Sequence, residues 1–507
     1  MDPFHLPGFF PSKPLYNPLE DNPKGLPGHI ILPIFLASVA PWTLFFVLLI
    51  RRTTLRPSKR NTAIVLVLGD IGRSPRMMYH TSSLSKHNIE TWLIGYGETT
   101  PIQNLIEDKN VHILPLDEPV KLLSNLPWIF RAPIRILYQI YSIINIIIWK
   151  IPYNTEYIFI QNPPSIPTLA ISQFIILNTG SKLIIDWHNT GYSLLSMRLG
   201  MRSPIVKFAK WIEKTFGQTA YAHLFVTKAM KDYLVKEWEL IGRKVVLHDR
   251  PPSQFKRTPI SDQHDLFNRI LPSLEPPLPP SMSIQSDDFT PFTQIKSDIV
   301  TLREDRPALV ISSTSWTADE DFSLLITALD RYQESLNNSN SAENKLPKLI
   351  VIITGKGSLR SEFENEISKK NWKDIIVKCV FLTSKDYSLL LGSSNLGISL
   401  HTSSSGMDLP MKIVDMFGSE LPVLSKKFNC INELIKNDKN GKIFENGEEM
   451  GKQLIDVLTN FPKSEKLDKL SKYFNKSSFD DTNNDWSSWD ENWDKVVFNG
   501  LISDSNR

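Results

Sequence analysis

The sequence predicts an α/β protein: two Rossmann-like, doubly wound domains facing a cleft, plus one N-terminal transmembrane helix. Three observations carry this. Short apolar runs alternate with helical stretches in two separate regions, the pattern of parallel sheets covered on both faces. The run from His29 to Ile50 contains no Asp, Glu, Lys or Arg. The segment Gly406 to Gly418 (GMDLPMKIVDMFG) joins one strand-like run, Leu396 to Leu400, to another, Leu421 to Leu424, through a polar loop and a helix carrying two carboxylates and a lysine. Free N–H groups at a helix start suit phosphate, and a carboxylate one or two turns in suits ribose hydroxyls. A nucleotide-sugar is held in this way. An ordinary strand–loop–helix with solvated charges is the alternative.

A chain of 507 residues is long enough for two or more domains, each with its own core. Hydrophobic content of 41% and charged content of 22% are ordinary for globular protein. The net charge of +3 is too small for a nucleic-acid binder. Cys379 and Cys430 are the only cysteines, so there is no disulfide framework and no Cys/His cluster for zinc. A reducing compartment fits.

Residues 1–28 form a short tail and 29–50 the expected anchor. A spanning helix needs about 20 apolar residues. Arg51, Arg52, Arg56, Lys59 and Arg60 follow it at once, whereas Asp2, Glu20 and Asp21 outweigh Lys13 and Lys24 before it. The positive flank stays cytosolic, which puts the tail in the lumen and the rest of the chain in the cytosol. A cleaved signal peptide would put its charge before a shorter apolar core. Pro33 and Pro41 are tolerable in a membrane helix.

Residues 61–252 read as the first domain. Strand runs are expected at Thr62 to Leu68, Ile89 to Ile94, Val111 to Leu114, Tyr157 to Ile160, Leu183 to Ile185, Ala222 to Val226 and Val245 to Leu247. Leu126 to Ile151 departs from this pattern: it is apolar and aromatic, interrupted by Arg131, Arg135 and Lys150. It reads either as an interfacial helix with snorkelling cations or as a buried core helix.

Residues 253–306 are polar and Pro-rich, unable to fold alone, and read as a linker or insertion. Asn337 to Lys345 reads as an exposed loop. Residues 307–478 read as the second domain, with strands at Ala308 to Ser312, Leu349 to Ile353, Ile376 to Leu382, Leu396 to Leu400, Leu421 to Leu424 and Lys442 to Phe444. In the tail, 479–501, Trp486, Trp489 and Trp493 recur at helical spacing and form one packing face, expected to dock on the first domain.

Ligands of such domains lie at the carboxyl ends of the strands, and that is where the polar motifs fall. In Gly69 to Ser74, glycines let backbone approach a ligand and Arg73 adds charge. Gly72, Arg73 and Ser74 are the candidate acceptor or diphosphate loop. Asp186-Trp187-His188-Asn189 ends a strand, and Asp186 or His188 can serve as general base. Pro163-Pro164-Ser165 either lines an acceptor channel or starts a helix. Ser315, within Ser312 to Thr317, offers a hydroxyl and an amide to phosphate or sugar. Lys356, between Gly355 and Gly357, can reach a diphosphate. Asp319-Glu320-Asp321 superficially resembles a metal-binding DxD, but it opens a helix, where acidic residues complement the dipole. No metal site is assigned.

Several motifs occur in the order of one family: GDIGRSPRMMYH (Gly69 to His80), IDWHNTGYSLL (Ile185 to Leu195), FVTKAM (Phe225 to Met230), LHDRPP (Leu247 to Pro252), SSTSWTADEDF (Ser312 to Phe322) and GMDLPMKIVDMFG. With the anchor, the chain resembles the chitobiosyldiphosphodolichol beta-mannosyltransferases of the endoplasmic reticulum from about Thr62 to Phe498, and its insertions are similar to those of yeast members. The resemblance implies a GT-B fold and an inverting hexosyltransferase that moves mannose from GDP-mannose to dolichyl-diphosphate-linked chitobiose, forming a β1,4 bond for N-glycosylation. It implies an endoplasmic reticulum membrane protein facing the cytosol, with membrane lipid and other lipid-linked oligosaccharide transferases as partners. No cofactor is obligate; Mg2+ would act with the free nucleotide. Retaining relatives carry two glutamates eight residues apart in the donor loop. Here Met407 and Asp415 have that spacing, and Asp408 is one position off. Asp415 is therefore assigned to the ribose, Asp408 to the donor loop, and Lys412 and Lys356 to the diphosphate. For the base the order is Asp186, His188, then Asp70. Another cytosolic-face transferase on a dolichol or inositol lipid, or a non-catalytic membrane subunit of the same fold, is the alternative.

Overall fold

The computed structural model describes residues 61–117, 128–152, 155–279, 286, 288–317, 319–338, 345–403, 406–474 and 486–503. The expected anchor at 29–50, the tail before it and residues 339–344 of the Asn-rich loop lie outside the described residues.

The first sheet has seven strands: β1 (Thr62–Asp70), β2 (Glu90–Tyr96), β3 (Val111–Leu116), β4 (Thr155–Asn162), β5 (Lys182–Trp187), β6 (Thr219–Phe225) and β7 (Ile241–Val246), in the order β3-β2-β1-β4-β5-β6-β7. All neighbours are parallel. The reason is visible in β1, which is apolar on both faces. Ala63, Val65 and Val67 join one core; Ile64, Leu66 and Leu68 join the other. Buried strands of this kind need helices above and below.

On one side lie α1 (Pro75–Lys86) and the short α2 (Gln103–Glu107), burying Met77, Met78, Leu84 and Leu105. On the other lie α3 (Trp128–Trp149), α4 (Thr168–Thr179), α5 (Gly191–Leu199), α6 (Pro204–Gly217) and α7 (Lys228–Trp238). In α3 one face is core and another is exposed. Ile143, Ile146 and Ile147 are core, whereas Leu137 and Tyr141 are exposed. Among the described residues α3 is the one helix long and apolar enough to cross a membrane.

The Pro-rich region between the domains is not a bare linker. It contains α8 (Ile260–Ile270) and a hairpin of β8 (Thr293–Lys296) and β9 (Ile299–Leu302). Phe255, Leu266, Phe267, Ile270 and Phe292 are buried against the second sheet. Its scattered apolar residues find a core by joining that of the neighbouring sheet.

The second sheet comprises β10 (Ala308–Ser313), β11 (Leu349–Thr354), β12 (Ile375–Val380), β13 (Leu396–Ser399), β14 (Val423–Lys426) and β15 (Gly441–Phe444), all parallel, ordered β12-β11-β10-β13-β14-β15. Around it pack α9 (Ser323–Asn338), α10 (Arg360–Ser368), α11 (Ser384–Ser393), α12 (Met411–Gly418), α13 (Gly447–Leu458) and α14 (Glu465–Lys472). Strand order reverses between β1 and β4 and again between β10 and β13. These are the switch points where a crevice opens at the carboxyl ends of the strands.

The tail returns to the first domain as α15 (Trp489–Trp493), which continues into a wider helical turn over Asp494–Ile502. Trp489 and Trp493 are buried beside Ala63, Met77 and Phe159. The three tryptophans do not form one face, however. Trp486 precedes the helix and packs edge-on against Phe417 of the second domain, with ring centroids 5.4 Å apart. The helix starts only at Ser488, whose hydroxyl and the Glu491 carboxylate form a reciprocal cap.

Trp493 is fully buried, and its indole N–H donates to His80 Nδ1 at 3.0 Å. Trp493→Ala is expected to lower unfolding stability by about 3–5 kcal/mol. Trp493→Phe, which keeps the packing but not the donor, is expected to cost about 1–2 kcal/mol. Denaturant titration followed by circular dichroism checks both values.

Candidate active site

At the carboxyl end of β5, Asp186 is completely buried. A buried carboxylate must be paired and hydrogen-bonded. Arg76 donates to it from Nε at 2.7 Å and from the second terminal nitrogen at 3.0 Å. His80 Nε2 lies at 3.1 Å and His188 Nε2 at 2.9 Å. Burial pushes the carboxyl upward, but Arg76, His188 and His80 outweigh it and hold Asp186 well below the usual carboxylate range. Arg76 is shared with Asp249 at 2.8 Å, and its pKa is raised: burial lowers it, and the two carboxylates more than compensate.

The tautomers follow from the partners. The indole of Trp493 can only donate, so His80 Nδ1 accepts and His80 Nε2–H faces Asp186. Burial pushes the His80 pKa down despite that carboxylate, so His80 sits neutral. His188 also turns Nε2 toward Asp186, and its side chain is 26% exposed. Among the described residues no group bonds its Nδ1.

The expected phosphate loop at Gly69 to Ser74 is braced from within. Asp70 accepts from the Thr99 amide at 3.0 Å and from the Thr99 hydroxyl, and Arg73 Nε lies 3.4 Å from it. Burial raises the Asp70 carboxyl, but the Thr99 hydroxyl and amide and the Gly72 amide bring it below its ordinary value. Ser74 donates its hydroxyl to the Asp70 carbonyl at 2.9 Å. A Cβ on Gly72 would overlap Thr99 and the Thr100 carbonyl, which is why a glycine stands there. Arg73 alone of this loop reaches out to solvent, with a 71% exposed side chain.

Across the cleft, α12 buries Ile413, Val414, Met416 and Phe417. That leaves Lys412 and Asp415, three residues apart, on one other face. Among the described residues no group donates a hydrogen bond to the Asp415 carboxylate. Although the residue keeps some exposed surface, burial pushes its pKa up to about 7. Tyr79 of α1 is pushed up to about 12 by burial and by Asp415 and Asp249. The second domain's carboxylate therefore acts on a side chain one residue from His80. The two switch points face each other.

Lys412 Nζ lies 2.9 Å from Glu320. Glu320 is buried and also accepts from the Thr314 hydroxyl and from the Ser315 amide, the latter at 3.1 Å. The acidic triplet thus divides its work. Asp319 pairs with His401 at 3.0 Å, Glu320 braces Lys412 and the Ser315 loop, and Asp321 accepts from the Ser323 amide at 3.0 Å. Only Asp321 fits the expected helix-opening role. Among the described residues no group of three or more His, Cys, Asp or Glu is placed to hold a metal ion. The Ser315 loop is packed on its neighbour so closely that a Cβ at Gly355 or Gly357 would overlap the Thr314 or Ser315 carbonyl. Lys356 leans over the exposed ring of Phe381, 3.8 Å from its centroid. Asp408 accepts from the Ser403 hydroxyl.

The strand ends and α12 were legible in the sequence, but the parts of Arg76, His80 and Asp249 were not, and Glu320 was read there only as a helix-opening charge. Arg76 and His80 lie inside the first motif at a spacing of one helical turn, which was the available signal. Polar bonds also tie the domains together. The Thr227 hydroxyl donates to the Met407 carbonyl at 2.6 Å, and Glu433 accepts from the Lys228 and Ala229 amides at 2.6 and 2.8 Å and pairs with His248 at 3.0 Å.

The family model "Glycosyl transferases group 1" matches residues 294–476. Chitobiosyldiphosphodolichol beta-mannosyltransferase of Homo sapiens is 40% identical over 444 residues, 86% of this chain and 91% of that one. The protein of the same name from Candida albicans is 37% identical over 473 residues, 92% of this chain and 91% of its own. UDP-glycosyltransferase TURAN of Arabidopsis thaliana is 37% identical over 424 residues, 80% and 90% of the two chains. Among solved structures, sucrose-phosphate synthase from Thermosynechococcus elongatus superposes with a TM-score of 0.57 at 10% identity, covering 88% of this chain and 100% of that one. WaaG, a glycosyltransferase of lipopolysaccharide biosynthesis, gives 0.52 at 12% identity, covering 86% and 99%. At such identities these likenesses speak to the fold, which is GT-B.

Two pH effects should appear in stability. The depressed Asp186 contributes stability that is present above about pH 4, its unfolded value, and is lost as pH falls further. Asp186→Asn is expected to flatten that acid limb and, by leaving Arg76 half-paired, to cost about 3 kcal/mol at pH 7. Asp415 has the opposite sign. Its raised pKa makes stability fall as pH rises from about 4 through about 7. Asp415→Asn is expected to melt higher than wild type at pH 8 and alike at pH 4, as read by calorimetry. A melting difference that does not change with pH would refute the buried-carboxylate reading.

Proposed function

Since the chain belongs to the chitobiosyldiphosphodolichol beta-mannosyltransferase family and is an enzyme, we propose that it transfers mannose from GDP-mannose to chitobiosyl-diphosphodolichol with inversion, forming a β1,4 bond. The observation that carries this reading is the pair of facing switch points. One presents an imidazole backed by a buried carboxylate; the other presents, on the face of one helix, a lysine and a carboxylate without a donor among the described residues.

In this reading the donor lies along α12. Asp415 accepts from the ribose hydroxyls, a role suited to a carboxylate that no described residue donates to. Lys412 and the amides around Ser315 meet the diphosphate, where charge builds as the glycosidic bond breaks. Lys356 stands one loop away. The acceptor's sugar hydroxyl attacks the anomeric carbon from the opposite side, so the α linkage of the donor becomes a β linkage. Its proton goes to His188 Nδ1. Asp186 is then a positioning residue. With both oxygens occupied and its proton affinity depressed, it is a poor base, but it orients His188 and stabilises the imidazolium that forms. Asp70, committed to Thr99, holds its loop. The role expected first for Asp186 thus passes to His188. No protein-bound metal is required; Mg2+ would accompany the free nucleotide. The enzyme would work at the endoplasmic reticulum membrane on its cytosolic face, anchored through 29–50, beside other transferases of the same lipid-linked glycan.

The test is a transfer assay with the purified full chain, GDP-mannose and a short-lipid chitobiosyl diphosphate, followed by β-mannosidase. A cleavable single-mannose product is expected. Donor use by a UDP-sugar instead, as one relative's name suggests for itself, would overturn the donor assignment. His188→Ala is expected to lower kcat by about 10²–10⁴-fold with GDP-mannose affinity unchanged. Asp415→Ala is expected to weaken donor binding by roughly 10–100-fold, the worth of hydrogen bonds to a charged group. Equilibrium binding of labelled donor separates the two effects.

A further inference from the structure

We propose that the hairpin formed by α5 and α6 is a second membrane contact, lying against the anionic bilayer surface beside the acceptor site. This rests on the membrane reading above but not on the identity of the transferred sugar.

The hairpin starts three residues after His188 and bends at Gly200, whose φ of +78° favours glycine and whose amide caps Ser196 at 2.7 Å. Its inner side is core: Tyr192, Val206 and Ala209 are buried with the first sheet. Its outer side is also apolar. Met197 and Met201 are 63% and 59% exposed; Phe208 and Trp211 are 57% and 58% exposed, with their rings stacked 5.9 Å apart. On α6 the exposed apolar residues Ile205, Phe208 and Trp211 recur every third position, making one stripe. A helix apolar both inward and outward has a second partner, because water is a poor one for large adjacent side chains.

Charge selects that partner. Arg198, Arg202, Lys207, Lys210 and Lys214 punctuate the hairpin, and the only acid between Gly191 and Gly217 is Glu213. Glu213 is fully buried, accepting from the Gly191 and Tyr192 amides at 2.7 and 3.0 Å. The exposed surface is therefore aromatic, thioether and cationic with no anion, the composition of an interfacial helix on anionic lipid. A second copy of the chain is disfavoured, because a two-fold contact would set cations against cations. The position agrees. The hairpin lies on the same side of the first sheet as α3, whose Leu137 and Tyr141 are likewise exposed. Between it and Pro163 to Ile166 runs a groove of about 540 Å³, lined by Leu194, Leu195, Met197 and Ala209 and open to an apolar chain.

The experiment uses the full chain in nanodiscs of phosphatidylcholine with phosphatidylserine. Spin labels are placed at Phe208→Cys and Met201→Cys, and at Ile299→Cys in the β8–β9 hairpin as an exposed control. Labels at 208 and 201 are expected to be relaxed more by oxygen than by a water-soluble nickel chelate, with the reverse at 299. Reversing Arg202 and Lys207 to Glu is expected to lower the immersed fraction roughly fivefold or more in anionic discs and little in zwitterionic ones. Equal nickel access at 208 and 299, or spin–spin broadening from paired copies, would overturn the proposal. Mannosyl transfer by the labelled proteins is measured alongside, so a chain that transfers normally without immersion refutes the docking surface and leaves the proposed reaction standing.

Discussion

A single buried carboxylate organises the first domain. Asp186 ends a central strand with no access to water, so it depends on Arg76 for its charge. Arg76 in turn depends on Asp249 for its remaining donors. An ion pair so placed is weak evidence of stability as such, since apolar replacement can do as well. Its value here is directional. It brings α1, β5 and the segment after β7 to one point and leaves one imidazole, His188, at the edge of that point facing the cleft. Trp493 adds a further constraint from the far end of the chain: its N–H fixes the His80 tautomer, and that tautomer can only donate to Asp186. The tail is thus wired to the site through hydrogen bonds whose direction is dictated by chemistry.

The second domain is arranged on the opposite principle. Glu320 holds three partners, whereas among the described residues no group donates to Asp415, and burial raises its pKa. A folded chain keeps such a group at a cost in stability, and such costs concentrate where a ligand completes the bonding. The two facing sites therefore differ in kind. One is closed on itself and orients a partly exposed imidazole; the other keeps a carboxylate that no described residue donates to. Lys412 sits between these cases, since its pairing with Glu320 must loosen or be shared if it is to meet a diphosphate.

The order of strands and helices was legible because apolar runs buried on two faces leave little choice of architecture. Even the edges of β1, β5 and β13 fell near their expected places. The location of the candidate site was legible for the same reason: in a parallel sheet, polar motifs gather where strands end. What could not be read was which polar groups would be consumed by each other. Asp186 and His188 look alike as proton acceptors in a sequence, and only the arrival of Arg76 from 110 residues away makes one a poor base and the other a candidate. Glu320 and Lys412, 92 residues apart, are the same problem. The Pro-rich region misled because composition measures whether a segment can fold alone, not whether a neighbouring sheet offers it a surface. The tryptophan spacing misled because periodicity implies a shared face only within one helix, and the cap at Ser488 starts that helix after Trp486.

The joint between the domains shows why the facing geometry holds. Glu433 of the second domain fills the amino end of α7 in the first, taking two amides that the helix itself cannot satisfy, and binds His248 as well. Burial raises that carboxyl, but the His248 imidazole and the two amides outweigh it and keep it below its usual value. Beside it Thr227 caps the same helix through its hydroxyl oxygen while donating to the Met407 carbonyl. Apolar contact between two domains tolerates sliding; a carboxylate on two specific amides does not. Met407 lies just before α12, which follows within a turn, so the register of Asp415 against α1 is set by the amino end of α7. The sequence places this contact within FVTKAM, a motif without a carboxylate or an imidazole, whose part is to fix where the polar groups of the other motifs meet.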